Sequence, residues 1–304
     1  MNHPLVSIIT INYDQSRITC ELLNSLKGIT YPEVEIIVVD NASPTDDPGI
    51  IKDSFPEIVF IPSEKNLGFA GGNNLGIRVA KGKYILLLNN DTEVDPGFIE
   101  PLVAKLESDP LIGAVSPKIR FHHTPDTIQF AGYSPLNPYT IRSHGRGYGI
   151  KDQGQFEEDT VTAYVHGAAM MVPAAVIRHI GLLAESYFLY YEELDWAERM
   201  KRAGYTLWYV HDSLVLHKES VSTGKMSAGK IYYMNRARIL YLRRNTHGFR
   251  FFIGVLYQLL IAIPKNGTKF LIKGNPGHFR AYQHAVTWHL NHLFASEIHK
   301  NPEF

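Results

Sequence analysis

The sequence predicts an α/β protein with a mostly parallel central sheet flanked by helices, followed by a helical C-terminal extension. Three observations carry that reading. Strand-like and helix-like segments alternate from the start, the βαβ pattern that builds a parallel sheet with right-handed crossovers. Two short apolar runs, residues 35–39 (EIIVV) and 84–88 (YILLL), have the continuous character of strands buried on both faces. Beyond about residue 245 the strand pattern stops, which divides the chain into a sheet-bearing domain, 1–245, and an extension, 246–304.

The bulk composition fits this class. With 304 residues, 45% hydrophobic and 12% aromatic, the chain can build a sizeable core. The single Cys20 excludes an intramolecular disulfide framework and suits a reducing compartment. The opening MNHPLVSIITINYD has no basic segment, apolar run and small-residue cleavage site in succession, so no export signal is expected. A net charge of zero conceals an asymmetry: residues 221–304 hold 12 Lys plus Arg against Glu297 and Glu303, a local excess of +10. Such a basic quarter could face nucleic acid, anionic lipid or a phosphorylated substrate.

In chain order, residues 6–12 (VSIITIN) form the first strand and 16–27 a helix with Ile18, Leu22, Leu23 and Leu26 on one face. The strand 35–39 ends in Asp40, followed by Asn41, Ala42 and Ser43; a short helix (47–55) and a strand (58–61) come next. The stretch EKNLGFAGGNNLGIRVAKG places Gly68, Gly71, Gly72 and Gly76 among Asn66, Asn73 and Asn74. Closely spaced glycines let backbone approach a phosphate or sugar, and a helix beginning near Gly71 would aim its N–H groups at an anion. The spacing is neither the dinucleotide fingerprint nor a P-loop, and a glycine-rich loop with a helix start remains the plain alternative.

The strand 84–88 stops at Asn89, Asn90 and Asp91. Ligands in open α/β sheets gather beyond the carboxyl ends of parallel strands, where a carboxylate suits a divalent cation carrying a diphosphate. The triplet alone also reads as turn chemistry. A helix over 96–107, strands over 113–116 and 118–121, and a long Gly-, Pro- and Tyr-rich stretch over 131–160 follow, the last fitting a wall or lid. Residues 161–173 return to strand, with Gly167 allowing a close approach; a helix spans 174–180. Then Glu192, Glu193 and Asp195 crowd the start of a helix ending in Arg199, Lys201 and Arg202. Asp195–Arg199 and Glu198–Arg202 form i,i+4 pairs that suit the helix dipole. The preceding aromatic run, 187–191, would raise a neighbouring carboxylate pKa towards that of a general base. Strand-like runs at 206–210 and 213–217 complete the body.

Taken in order, VSIITINYD, VVDNAS, NLGFAGGNNLGI, LLLNND, YYEELDWAERMKRAGY and VLHKES resemble the inverting family 2 glycosyltransferases of the GT-A fold, over roughly residues 5–244. The likeness is greatest to the bacterial branch that includes rhamnosyltransferases of cell-surface polysaccharide assembly. It implies a UDP- or dTDP-sugar donor, dTDP-rhamnose among them, with Asp40 accepting a hydrogen bond from the pyrimidine and Thr10, Asn12 and Tyr13 beside it. Asn66, Gly68, Gly71, Asn74 and Asn90 would complete the nucleotide-sugar site. Asp91 would coordinate Mg2+ or Mn2+, with His217 a further ligand whose imidazole favours Mn2+. Glu193 matches the general base and Glu192 is its reserve. The chain departs from the family at two positions: Asn89 stands where the metal motif often has aspartate, and the usual Glu-Asp pair is Glu192-Glu193.

Residues 231–244 read as an Arg-bearing helix, and 249–264 as an apolar run too short to span a bilayer, suited either to its interface or to a core. Lys265, Lys269, Lys273 and Arg280 flank it, favouring anionic lipid over nucleic acid. His278, His284, His289, His292 and His299 show no metal-binding spacing and read as helix-surface residues. The expected protein is a metal-dependent transferase extending a glycan or lipid-linked acceptor at the cytoplasmic membrane face. Its rivals are a sugar nucleotidyltransferase, which would need a basic Gly-rich loop straight after the first strand where residues 12–15 offer none, and a non-catalytic sugar-nucleotide or glycan-binding module.

Overall fold

The computed structural model of the protein describes residues 3–219, 227–272, 274–299, 302 and 304; Ser220, Lys273 and the His299 side chain lie outside the described residues. The chain lays down β1 (Val6–Asn12), α1 (Ser16–Leu26), β2 (Val34–Asp40), α2 (Gly49–Ser54), β3 (Val59–Pro62), α3 (Gly68–Val79), β4 (Tyr84–Leu88), β5 (Thr92–Val94) and α4 (Ile99–Ser108). There follow β6 (Ile112–Phe121), β7 (Thr124–Phe130), β8 (Thr160–Val161), β9 (Ala169–Pro173), α5 (Ala174–Ile180), α6 (Glu192–Arg202) and β10 (Thr206–His217). The C-terminal part is helical: α7 (Ala228–Asn245), α8 (Gly248–Tyr257), a π turn, α9 (Ile263–Ile272) and α10 (Pro276–Asn291).

The strands form one sheet in the order β3-β2-β1-β4-β9-β6-β10-β5, with β7 on β6 and β8 on β10. The parallel sheet expected from the βαβ alternation is β3-β2-β1-β4. Beyond it the sheet is mixed, because β9 enters antiparallel to both β4 and β6. Since β10 runs parallel to β6, the ends of β1, β2, β4 and β10 all reach the same edge. Register then brings the key residues together. Asn12 pairs with Asp40 across β1 and β2, and Thr92 pairs with His217 across β5 and β10.

Side chains alternate between two cores. Tyr84, Leu86 and Leu88 of β4 pack with Leu22, Leu23 and Leu102 on one face, while Ile85 and Leu87 join Ile77, Ile177 and Trp196 on the other. That is why YILLL is apolar at every position. Helix α3 begins at Gly68 rather than near Gly71, and its glycines seat it on β1: a Cβ at Gly76 would stand 2.5 Å from Ile9, and one at Gly72 2.9 Å from Ile11.

Several boundaries differ from the sequence reading for identifiable reasons. The two strands expected around Pro117 are the single β6, and those expected around 211–212 are the single β10; the breaks meet at one bulge, where β10 shifts register between Val210, opposite Pro117, and Leu214. Of residues 161–173 only the ends are strand, and 162–168 bend through the site edge. Glu198 pairs with Lys201 at 2.8 Å rather than with Arg202, which donates to Asn245 instead. His289 is buried, bonded to the Arg236 carbonyl, and not a surface residue. The apolar helix does not stop at Pro264. The wider turn Gln258–Ala262 just before it accommodates the missing N–H, and helix continues to Ile272. A third core joins Tyr187 and Ala184 to Ala237, Leu240 and Leu242 of α7, and Phe251, Val255 and Trp288 pack against it, so the extension shares packing with the body.

Candidate active site

At the shared sheet edge, the first group of residues surrounds Asp40. Asn12 donates to Asp40 Oδ1 (2.8 Å), and the Ser43 hydroxyl donates to the same oxygen (2.6 Å) while its N–H reaches Oδ2 (3.2 Å). Thr19 donates to Asn12 Oδ1 (2.8 Å) and accepts from Asn90 (3.0 Å), tying the ends of β1, β2 and β4 together. Thr10 lies buried beneath, its hydroxyl without a hydrogen-bond partner among the described residues, and Tyr13 stands 37% exposed at the mouth. A polar pocket floor of this kind is preorganised, because each group is held by its neighbours rather than by solvent.

The second group centres on Asp91. Its Oδ1 lies 3.1 Å from His217 Nε2, and both side chains are buried. His217 Nδ1 is 2.8 Å from the carboxamide oxygen of Gln129 on β7. With Nδ1–H donating to Gln129, the Nε2 lone pair faces a carboxylate oxygen. Two electron-rich atoms so placed are held together by a proton or a cation. The donor set therefore fits a divalent metal: one carboxylate oxygen, one imidazole, and an outer partner orienting the ring. His166 lies edge-on to His217 (centroids 6.1 Å apart) and stacks against Tyr133. Burial, then the neighbouring His217, pushes the His166 pKa down to about 3, so it is a neutral wall.

The third group is the carboxylate pair on α6. The close approach read at Gly167 is to Glu193: a Cβ there would stand 3.9 Å from the Glu193 carboxyl carbon. Glu193 is half-buried, and desolvation raises its pKa to about 7 against the pull of the backbone N–H groups of Glu193 and Leu194. Glu192 is only 2% exposed, with Oε2 unpartnered among the described residues. Its pKa stands well above the ordinary value, first through burial and then through repulsion from Glu193, partly countered by Arg236. Burial thus favours the protonated form of Glu192, while Glu193 titrates near neutrality.

The segment leading to this pair is strained: Phe188, Tyr190 and Tyr191 adopt φ of 67°, 70° and 71°, rare for bulky residues. It is clamped on both sides. Phe69 N–H donates to the Phe188 carbonyl (2.7 Å), and a Cβ on Gly68 would come within 2.1 Å of that oxygen, so only glycine fits. From α7, Tyr233 stacks on Phe188, Arg236 donates to the carbonyls of Ser186 and Tyr187, and Arg238 donates to the Tyr191 hydroxyl (3.0 Å).

The expected site residues therefore divide. Asn12, Asp40, Asn90, Asp91, His217 and Glu193 share the edge. Asn66 accepts from Gly68 N–H (2.8 Å) and from Asn41 (3.1 Å), shaping the loop before α3. Gly71 packs on Leu67 within α3, and Asn74 is buried with its amide engaged by Leu183 and Glu185. Asp195 lies outside the site: it makes the expected i,i+4 pair with Arg199 and also accepts from Arg244. His166, Tyr133 and Gln129 join the site without being expected from the sequence. For His166 alone a signal existed, a histidine beside glycine inside an apolar run.

Comparison with known proteins identifies the family and the fold. Residues 7–181 match glycosyl transferase family 2. A low-salt glycan biosynthesis hexosyltransferase of Haloferax volcanii is 27% identical over 252 residues, covering 77% of this chain and 74% of the relative. An N-acetylglucosaminyl-diphospho-decaprenol L-rhamnosyltransferase of Mycobacterium tuberculosis is 23% identical over 265 residues, covering 81% and 86%. Among solved structures, GalNAc-T7 with UDP, GalNAc and Mn2+ superposes with a TM-score of 0.61 at 16% identity, over 78% of this chain and 48% of that one. A mannosyltransferase of Pyrobaculum calidifontis, in complex with GDP-Man and Mn2+, gives 0.58 at 16% identity over 96% and 76%. These likenesses show the GT-A fold.

Proposed function

The chain belongs to glycosyl transferase family 2, and from that premise we propose that it moves a hexosyl unit from a UDP- or dTDP-sugar to a glycan or lipid-linked acceptor, with inversion at the anomeric carbon. The observation that carries this reading is the convergence, at one sheet edge, of the Asp40 network, the Asp91–His217 pair and a half-buried carboxylate poised near neutrality. The rhamnosyltransferase relative supports rhamnose as the sugar moved, and the UDP and GDP-mannose complexes support a nucleoside-diphosphate carrier.

Asp40 receives the base of the donor, and Asp91 and His217 hold Mg2+ or Mn2+, the latter being the ion in both structural neighbours. When bound, the metal offsets the charge that develops on the leaving diphosphate. Glu193 takes the proton of the acceptor hydroxyl while that oxygen bonds to the anomeric carbon and the bond from this carbon to the diphosphate oxygen breaks on the opposite face. Burial and the neighbouring Glu193 charge disfavour ionisation of Glu192, which limits the negative charge on the pair. The location that suits such an acceptor is the cytoplasmic face of the membrane, with the protein attached peripherally.

Release of nucleoside diphosphate from UDP- and dTDP-sugars, with Mn2+ and with a chelator, tests the reading. One nucleotide class is expected to turn over, in a metal-dependent way. Undiminished release in the chelator would remove the metal from the account, and no release from either class would remove the donor assignment.

A further inference from the structure

We propose that the C-terminal helices form a docking surface for an anionic lipid bilayer, on which α8 and α9 lie flat in the headgroup region. Helix α8, the π turn and α9 make one helix, Gly248–Ile272, 25 residues long and apolar enough by composition to cross a membrane, yet only 17% of its most apolar stretch is buried. Burial follows a narrow stripe. Gly254, Gln258 and Ala262 face inward, Gly254 against Leu242 of α7, while the Ala262 carbonyl accepts from Tyr282 of α10. Facing out are Phe249, Phe252, Leu259, Leu260, Leu271 and Ile272, each more than half exposed. An ordinary surface helix does the reverse. A contiguous apolar face of this kind marks an interaction surface.

Charge identifies what covers it. Residues 227–296 contain no Asp or Glu, while Arg250, Lys265, Lys269 and Arg280 are exposed around the apolar face. Apolar side chains bury at the acyl boundary while neighbouring cations are drawn to anionic headgroups, so this combination matches such a membrane surface. The helix lies along the bilayer rather than across it. Only 14 residues separate Arg250 from Lys265, about 21 Å of helix against about 30 Å of hydrocarbon. Its inner stripe also remains packed on α7 and α10. The surface is continuous with the catalytic region, since α7 runs from its clasp on the Glu193 segment directly into α8. On the glycosyl-transfer reading, a lipid-linked acceptor would meet the base at the bilayer; lipid binding itself does not depend on that reading.

Flotation of the full chain with vesicles of phosphatidylcholine, alone or with about 30% phosphatidylglycerol, tests this. Capture by the anionic vesicles only, weakened by salt, is expected. Phe252→Asp with Leu260→Asp should reduce capture more than about tenfold while circular dichroism and nucleotide binding are unchanged. Lys265→Glu with Lys269→Glu should weaken capture as well. Equal capture by both vesicle types, or capture by neither, would overturn the proposal. So would a Phe252→Asp, Leu260→Asp variant that floats like the parent, or that merely turns a dimer into a monomer, because a second copy would then be what covers the face.

Discussion

Glu193→Gln is expected to leave donor binding intact and to lower sugar transfer by about 10²–10⁴-fold, the contribution of a positioned general base. Glutamine keeps the shape and the desolvation but takes no proton, and burial disfavours the ionised form that Glu192 would need to act in its place. The pH dependence carries the same information. A base works when deprotonated, so kcat/KM of the parent should be low in acid, rise through about 7, where desolvation has placed Glu193, and level off above it. Initial rates across the pH range on both proteins check this. If the variant kept a rate within a few-fold of the parent with the same rising limb, the base would have to be sought elsewhere.

Asp195→Ala should cost about 3–5 kcal/mol of stability, the penalty for removing one partner from a buried charge network. Asp195 is 1% exposed and accepts from Arg244 (2.9 Å), Arg199 (3.1 Å), Asn245 (2.8 Å) and Tyr187 (3.2 Å). Alanine removes the carboxylate that neutralises two largely buried guanidinium groups. Burial alone would raise the Asp195 pKa, but the hydrogen bond and charge of Arg244, with Arg199, hold it below the ordinary value. The stabilisation is therefore present above the unfolded carboxylate pKa and is lost as pH falls through the lower folded one. Urea unfolding at neutral and acid pH measures both effects. A loss under about 1 kcal/mol would mean that the arginines find other partners. Because Arg244 and Asn245 end α7, the same change should loosen the C-terminal helices from α6 and speed their proteolysis.

How far the sequence could be read follows from where each signal resides. The strands over 6–12 and 84–88 and the helix over 174–180 were legible to the residue, because a buried strand or short helix between turn residues is a local pattern. Asp40 and Asp91 were legible for the same reason, each closing an apolar run. Gln129, Tyr133 and His166 were not. Gln129 and His166 reach His217, and Tyr133 reaches His166, only because β9 inserts antiparallel between β4 and β6 and β7 folds back on β6, pairings that no local window records. Glycine is ambiguous in itself: Gly72 and Gly76 let α3 approach β1, and Gly68 makes room for the strained aromatic segment, where the sequence suggested an approach to phosphate. Pro264 misled in the opposite sense, since one π turn absorbs its missing N–H and carries the apolar helix on.

The account stands most directly on calorimetric titration of the protein with UDP and with dTDP, each with and without Mn2+, repeated on Asp91→Ala. Tight binding of one nucleotide that needs both the metal and Asp91 is the expected result. Binding that is indifferent to the metal and to Asp91, or no binding of either nucleotide, would contradict the assignment of Asp91 and His217 as the donor-linked metal site.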